Sequence, residues 1–172
     1  MELALFYVAG AVALIATVLV VTRSNAVHAL IYLIVSLLAV AVIFFLLGAP
    51  FAAALEVVIY AGAIMVLFVF VVMMLNLGQR RSAPVHAWLR PRHWIGPGLL
   101  SVVLLLELSY LIFAGGSATA GRVIGPREVG LALFGPYLLA VELASVLLLA
   151  ALVGAYHLGR RYLRGRQDEA ES

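Results

Sequence analysis

Five long apolar stretches, at residues 2–22, 27–47, 52–77, 94–114 and 131–157, constrain what this chain can fold into more than any other feature. A hydrocarbon core about 30 Å thick takes roughly 20 apolar residues to cross at 1.5 Å of helix rise each. Each stretch meets that length. Lipid offers no partner for free backbone N–H and C=O groups, so a span must satisfy them within a helix or a closed barrel. None of the five alternates apolar and polar residues as a barrel strand does. The expected fold is therefore all-α and integral to the membrane. It has five transmembrane helices in one membrane domain over residues 1–172, with a polar tail at 158–172 expected to fray beyond Arg166. Composition agrees: 66% of the residues are hydrophobic and only 11% charged, too few polar groups to cover a soluble domain of this length.

The first stretch is too long for a signal-peptide core and opens on Glu2 rather than on basic residues, so it reads as a retained span. "TRSNAVH" joins the first two spans, and "GAP" (48–50) makes a tight turn into the third. The "GPG" at 96–98 and the glycines at 115–116 read as turns or helix ends rather than phosphate cradles. No internal repeat is visible, which disfavours an inverted-repeat transporter.

All eleven basic residues are arginine. They lie in short runs between the apolar stretches and not on a folded basic face, which argues against nucleic-acid binding. With the N-terminus outside, nine of them (Arg23, Arg80, Arg81, Arg90, Arg92, Arg160, Arg161, Arg164 and Arg166) fall inside, and only Arg122 and Arg127 fall outside. The positive-inside rule then orients the chain N-out and C-in, with Trp88 and Trp94 at the inner interface.

The absence of cysteine excludes disulfides, thiolate nucleophiles and cysteine-ligated iron–sulfur clusters. The four histidines (His28, His86, His93 and His157) lie near span ends or in the inner link without metal-ligand spacing, so no metal is expected. No nucleotide loop, haem motif or nucleophile–base set appears. A catalytic centre is therefore not expected on this chain alone.

Intramembrane carboxylates are costly and call for a partner or a purpose. Glu107 and Glu142 sit about 10 to 14 Å deep, counted from the outer span ends. Each is either a buried acid bonded to a neighbouring chain or a group that handles protons. Glu56 is shallower, roughly 6 Å into the third span, where a helix N-terminus also favours negative charge. Tyr60 lies one turn on, on the same helical face. That face continues through Ala63, Ile64 and Leu67, which carry no polar atoms. A polar entrance followed by a dry segment resembles a hydrophobic gate. Gly62, between two alanines, weakens the helix by about 1 kcal/mol relative to alanine and makes a slim patch for close helix packing.

The run "LEVVIYAGAIMVLFVFVVMMLN" (55–76), preceded by "NAVHALIYLIVSLLAVAVIFFLLGAPFAAA" (25–54), resembles the third-helix region of subunit J of proton-translocating NADH–quinone oxidoreductase, respiratory complex I. That subunit is the bacterial counterpart of mitochondrial NADH dehydrogenase subunit 6. The resemblance is specific over residues 24–78; elsewhere it rests on the number of spans. It implies a five-helix, non-redox subunit of the membrane arm, between the quinone-binding and antiporter-like subunits, in the cell's inner membrane. Flavin, iron–sulfur clusters and quinone would belong to other subunits. It also implies a π-bulge around Tyr60 to Gly62, whose removal would rotate the distal half of the helix by about 100° and open or close a water path. Two other readings remain at this stage: a structural scaffold of the same arm, and the related subunit of a cation/proton antiporter or membrane-bound hydrogenase complex.

Overall fold

The computed structural model describes residues 2–75, 94–113 and 123–171. The link residues Arg80, Arg81, Arg90, Arg92, Trp88, His86 and His93, together with Arg122 and the glycines at 115–116, lie outside these. Every element among the described residues is helical: α1 (Glu2–Thr22), α2 (Ala26–Leu46), α3 (Pro50–Leu55), a π-helix (Glu56–Ile64), α4 (Met65–Leu75), α5 (Ile95–Phe113), α6 (Pro126–Leu133) and α7 (Leu138–Glu171). The segments α3, π-helix and α4 form one continuous third span. Among the described residues five helices are long and apolar enough to cross a membrane. The chain is therefore a multi-pass helical membrane protein.

Local chemistry explains where the helices start. Asn25 caps α2, its side-chain oxygen accepting from the N–H groups of Val27 and His28 at 3.0 and 3.5 Å. Gly48 takes a φ of 82°, a left-handed conformation that glycine adopts without strain. Pro50 then occupies the first turn of α3, where its missing N–H costs nothing.

The packing divides into two units, residues 1–125 and 126–172. In the first, α2 is central: it packs against α1, all three segments of the third span, and α5. The α1–α2 seam is built on small side chains, with Ala9, Ala16 and Ala39 fully buried beside Val12 and Val35. Small residues let backbones approach closely, which drives helix association where lipid is as apolar as leucine. The hydroxyls of Thr17 and Ser36 meet across this seam at 2.8 Å. At the other end of α2 the N–H of Ile124 donates to the Gly48 carbonyl at 2.8 Å, tying the segment before α6 to the α2–α3 turn.

The start of α5 rests on α2 through Gly96 and Tyr32. A Cβ at Gly96 would overlap the Tyr32 hydroxyl and lie 3.2 Å from its ring carbon Cζ. The ring is buried, and the Arg23 guanidinium stacks 5.5 Å from its centroid, so it has little freedom to yield. Gly96→Ala is expected to destabilise the purified chain by about 1–3 kcal/mol in denaturant unfolding, as overpacking does. Adding Tyr32→Phe, which removes the overlapping oxygen, is expected to restore much of the loss.

In the second unit the structure corrects the fifth span. The apolar stretch begins at 131, but α6 stops at Leu133 and the spanning helix starts only at Leu138. The cause is the Gly135–Pro136 pair. Proline has no N–H to donate and clashes with the carbonyl four residues back. At Gly135 the backbone turns so tightly that a Cβ would lie 2.7 Å from the Leu131 carbonyl oxygen. At the far end α7 is helical to Glu171. No proline follows Pro136 in the sequence, and the Arg, Gln, Ala and Glu of the tail are good helix formers.

Candidate functional site in the third span

Residues 56–64 read EVVIYAGAI, with three β-branched side chains in succession and then a glycine. Both features weaken an α-helix. The backbone accordingly leaves the α ladder at Glu56, whose N–H still donates to the carbonyls of Ala52 and Ala53. It rejoins at Met65, whose N–H reaches the carbonyls of Tyr60 and Gly62. The bond to Tyr60 spans five residues, the mark of a π-helix. The segment covers nine residues, wider than the turn at Tyr60–Gly62 that the family resemblance implied.

Gly62 faces its own helix more closely than any neighbour. A Cβ there would lie 3.1 Å from the Val57 carbonyl oxygen, and among the described residues no atom of another helix comes within 4 Å of that position. The glycine therefore accommodates the π register rather than a helix–helix contact. Val57, five residues earlier, contributes through its backbone, which no side-chain pattern in the sequence marks.

The other residues singled out from the sequence fall in three places. In the third span Glu56 is half-buried, Tyr60 is 50% exposed, and Ile64 and Leu67 are exposed as well, whereas Met65 is only 2% exposed and packs inward. Exposure extends to their neighbours Val57, Val58, Ile59 and Val66, so most of this span is not covered within the unit. Because the helix starts at Pro50, Glu56 lies roughly 9 Å along it rather than 6 Å.

Glu107 is elsewhere, on α5, at 4% exposure. Leu104 and Leu111, one turn to either side, belong to the core cluster with α1 and α2. Neither carboxylate oxygen of Glu107 has a hydrogen-bond partner among the described residues. Glu142 is exposed on α7, and with that helix starting at Leu138 it lies roughly 6 Å from the start, shallower than the 10–14 Å read from the apolar stretch.

Sequence reasoning missed two features of the first unit. One is the Thr17–Ser36 hydroxyl pair, which a search for hydroxyls on adjacent spans would have raised. The other is an apolar cleft of about 460 Å³ beside the entrance to the π-helix, lined by α2, α3, Val57 and α5. Its walls include Leu38, Val42, Ala53, Leu104 and Leu108. Among the described residues no group of three or more metal-ligating side chains is close enough to hold an ion.

These features define a polytopic helical membrane protein whose third span is interrupted by a glycine-accommodated π-helix. Comparison with known proteins assigns the family. The model of NADH-ubiquinone/plastoquinone oxidoreductase chain 6 matches residues 16–158, and the chain belongs to that family. It is 57% identical over 163 residues to the NADH-quinone oxidoreductase subunit J of Pseudomonas aeruginosa, covering 94% of this chain and 98% of the relative. To the subunit J of Escherichia coli strain K12 it is 55% identical over 171 residues, 96% of this chain and 93% of the relative. The likeness therefore extends well beyond residues 24–78, to nearly the whole chain.

Proposed function

We propose that this chain is a non-redox membrane-arm subunit of a proton-translocating NADH–quinone oxidoreductase, and that its third span gates a water path coupling quinone reduction to proton translocation. Membership of the chain 6 family and near-full-length likeness to proteins named subunit J support the assignment to that complex. The observation that carries the gating reading is the π-helix at Glu56–Ile64, in the middle of a span with no break in its bonding to α3 and α4. A π turn holds more residues than an α turn, so loss of the π register turns everything beyond it, by about 100° for each residue released. Glu56 and Tyr60 would offer water a polar entrance, Gly62 would let the register change, and Ile64 and Leu67 would be carried by the rotation. Glu107 and Glu142 would hold protons in the same process.

The chain's part is mechanical and protonic. Electrons would pass through flavin and iron–sulfur clusters, and cysteine-ligated clusters need thiolates this cysteine-free chain does not have. Those cofactors and the quinone site reside on other subunits. The exposed outward side of the third span would be covered by neighbours such as the quinone-site and antiporter-like subunits. The setting is the cell's inner membrane, N-terminus out and C-terminus in.

An affinity tag on this chain is expected to co-purify an NADH-oxidising, quinone-reducing assembly. Purified alone and reconstituted in vesicles, the chain is expected neither to oxidise NADH nor to conduct protons. Appreciable proton flux through the isolated chain would make it a free-standing transporter and overturn the proposal.

A further inference from the structure

The apolar cleft beside the π-helix has three walls of equal length. They run from Leu38 to Phe45 on α2, from Pro50 to Val57 on the third span, and from Ser101 to Leu108 on α5. Each wall is eight residues long, about 11 Å of helix axis. The walls are also in step. Phe45 and Pro50 flank the Gly48 turn, which joins the successive spans Ala26–Leu46 and Pro50–Met74 and so lies at one membrane surface. Gly96, at the start of α5, meets Tyr32 near the start of α2. The two helices therefore run in the same direction, which brings Leu108 toward the turn. Leu38, Val57 and Ser101 mark the deep end, about 15 Å from the turn along α2. That is half of a hydrocarbon core about 30 Å thick. The cleft thus occupies the depth of one leaflet.

Its width and chemistry narrow the occupant. A volume of about 460 Å³ over some 11 Å of axis gives a section roughly 7 Å across, narrower than the 10–12 Å of a helix with its side chains. The floor is α2, where Ala41 and Val42 are buried, while Ala54, Leu105 and Leu108 on the flanking walls are exposed. The cleft therefore opens sideways, between the third span and α5, and the small Ala53 and Ala54 side chains make the room. Ser101 is the one lining residue with a polar side-chain atom, and apolar cavities stay dry. In a bilayer the medium at such an opening is acyl chain, which gains dispersion contacts by entering and has no polar group to desolvate. We propose that the cleft holds one acyl chain of a phospholipid whose headgroup lies at the surface of the Gly48 turn. The site begins within one helical turn of that surface, where a phospholipid chain also begins. The proposal needs only that the chain spans the bilayer; it depends neither on the gating reading nor on which side is outside.

The test uses the assembled complex in phosphatidylcholine vesicles, with part of the lipid carrying a diazirine midway along one acyl chain. The complex is irradiated, and adducts on this chain are mapped to residues by mass spectrometry. When detergent washing precedes irradiation, adducts on the cleft residues are expected to outlast those elsewhere on this chain by about fivefold or more, because a held chain leaves more slowly than a passing one. Ala54→Phe puts a ring across the middle of the cleft. It is expected to lower the cleft adducts about fivefold and to leave adducts elsewhere unchanged. If that variant does not assemble, the washing result on the unaltered chain decides. Three results would each overturn the proposal: no adducts in the cleft, which would mean that a neighbouring subunit fills it; loss of cleft adducts together with the rest on washing; or equal loss at all positions in Ala54→Phe. So would displacement by a long-tailed quinone at a level where as much unlabelled phosphatidylcholine displaces little, which would assign the cleft to a quinone tail.

Discussion

Gly62→Leu is expected to lower quinone-linked proton pumping by the assembled complex about tenfold or more, while NADH oxidation by an artificial acceptor stays within about twofold. The physical basis is local. A Cβ at position 62 already presses to 3.1 Å on the Val57 carbonyl oxygen in the π register, and a leucine adds three further carbons. Overpacking of this kind costs about 1–3 kcal/mol, which displaces the balance between π and α registers by roughly 5- to 150-fold. Alanine acts in the same direction with less bulk, and it also removes the glycine penalty of about 1 kcal/mol in the α form. Gly62→Ala should therefore give an intermediate loss. Gly10→Ala is the control, because a Cβ there meets nothing within 4 Å. Artificial acceptors take electrons upstream of the membrane arm, so the ratio of the two activities isolates coupling. Equal losses would show general destabilisation, and no loss in either activity would end the gating proposal.

Glu107→Leu is expected to stabilise the protein, by about 1–3 kcal/mol. The carboxylate is almost fully buried, both of its oxygens lack a partner among the described residues, and its helical neighbours are leucines in the core cluster. Removing an unbonded polar group from an apolar site relieves its desolvation cost, and leucine is close enough in volume to leave little cavity. Thermal unfolding of the purified chain measures the effect. A loss of stability would mean that the carboxylate is bonded, through water or another chain, and that the apolar description of its site is wrong. If Glu107 also holds protons for the complex, the same variant should pump less despite its greater stability, and Glu107→Gln should pump less with assembly intact. A stability gain with unchanged pumping would leave Glu107 out of the proton path. Tyr60→Phe tests the third span in parallel, since it keeps the ring and removes only the hydroxyl.

How much of this was legible beforehand differs from residue to residue. The first four spans lie within about three residues of where their apolar stretches place them. The Gly48–Pro50 turn was readable because glycine and proline restrict the backbone in known ways. The same two residue types at Gly135–Pro136 were passed over because apolar neighbours kept the stretch looking continuous, and this shifted the fifth span and the depth of Glu142. The face shared by Glu56 and Tyr60 was inferred from helical spacing; in the structure Glu56 is half-buried and Tyr60 exposed. Glu107 was legible as an intramembrane acid but not as one without a partner among the described residues, because a partner is a property of neighbouring helices.

By itself the sequence determined the class, the number of spans and the weak point in the third helix. A bilayer removes every alternative to closed backbone bonding, and glycine beside β-branched residues weakens an α-helix wherever it stands. Only the tertiary structure decided that the weakness is realised as nine residues of π-helix, that Gly62 serves the backbone at Val57, and that α2 is central to the first unit. The reason is that lipid-facing and protein-facing side chains in a membrane are both apolar. Burial therefore leaves no periodic trace in the sequence, and which face packs inward is settled by shape, through the alanines of α1 and α2 and the glycine of α5.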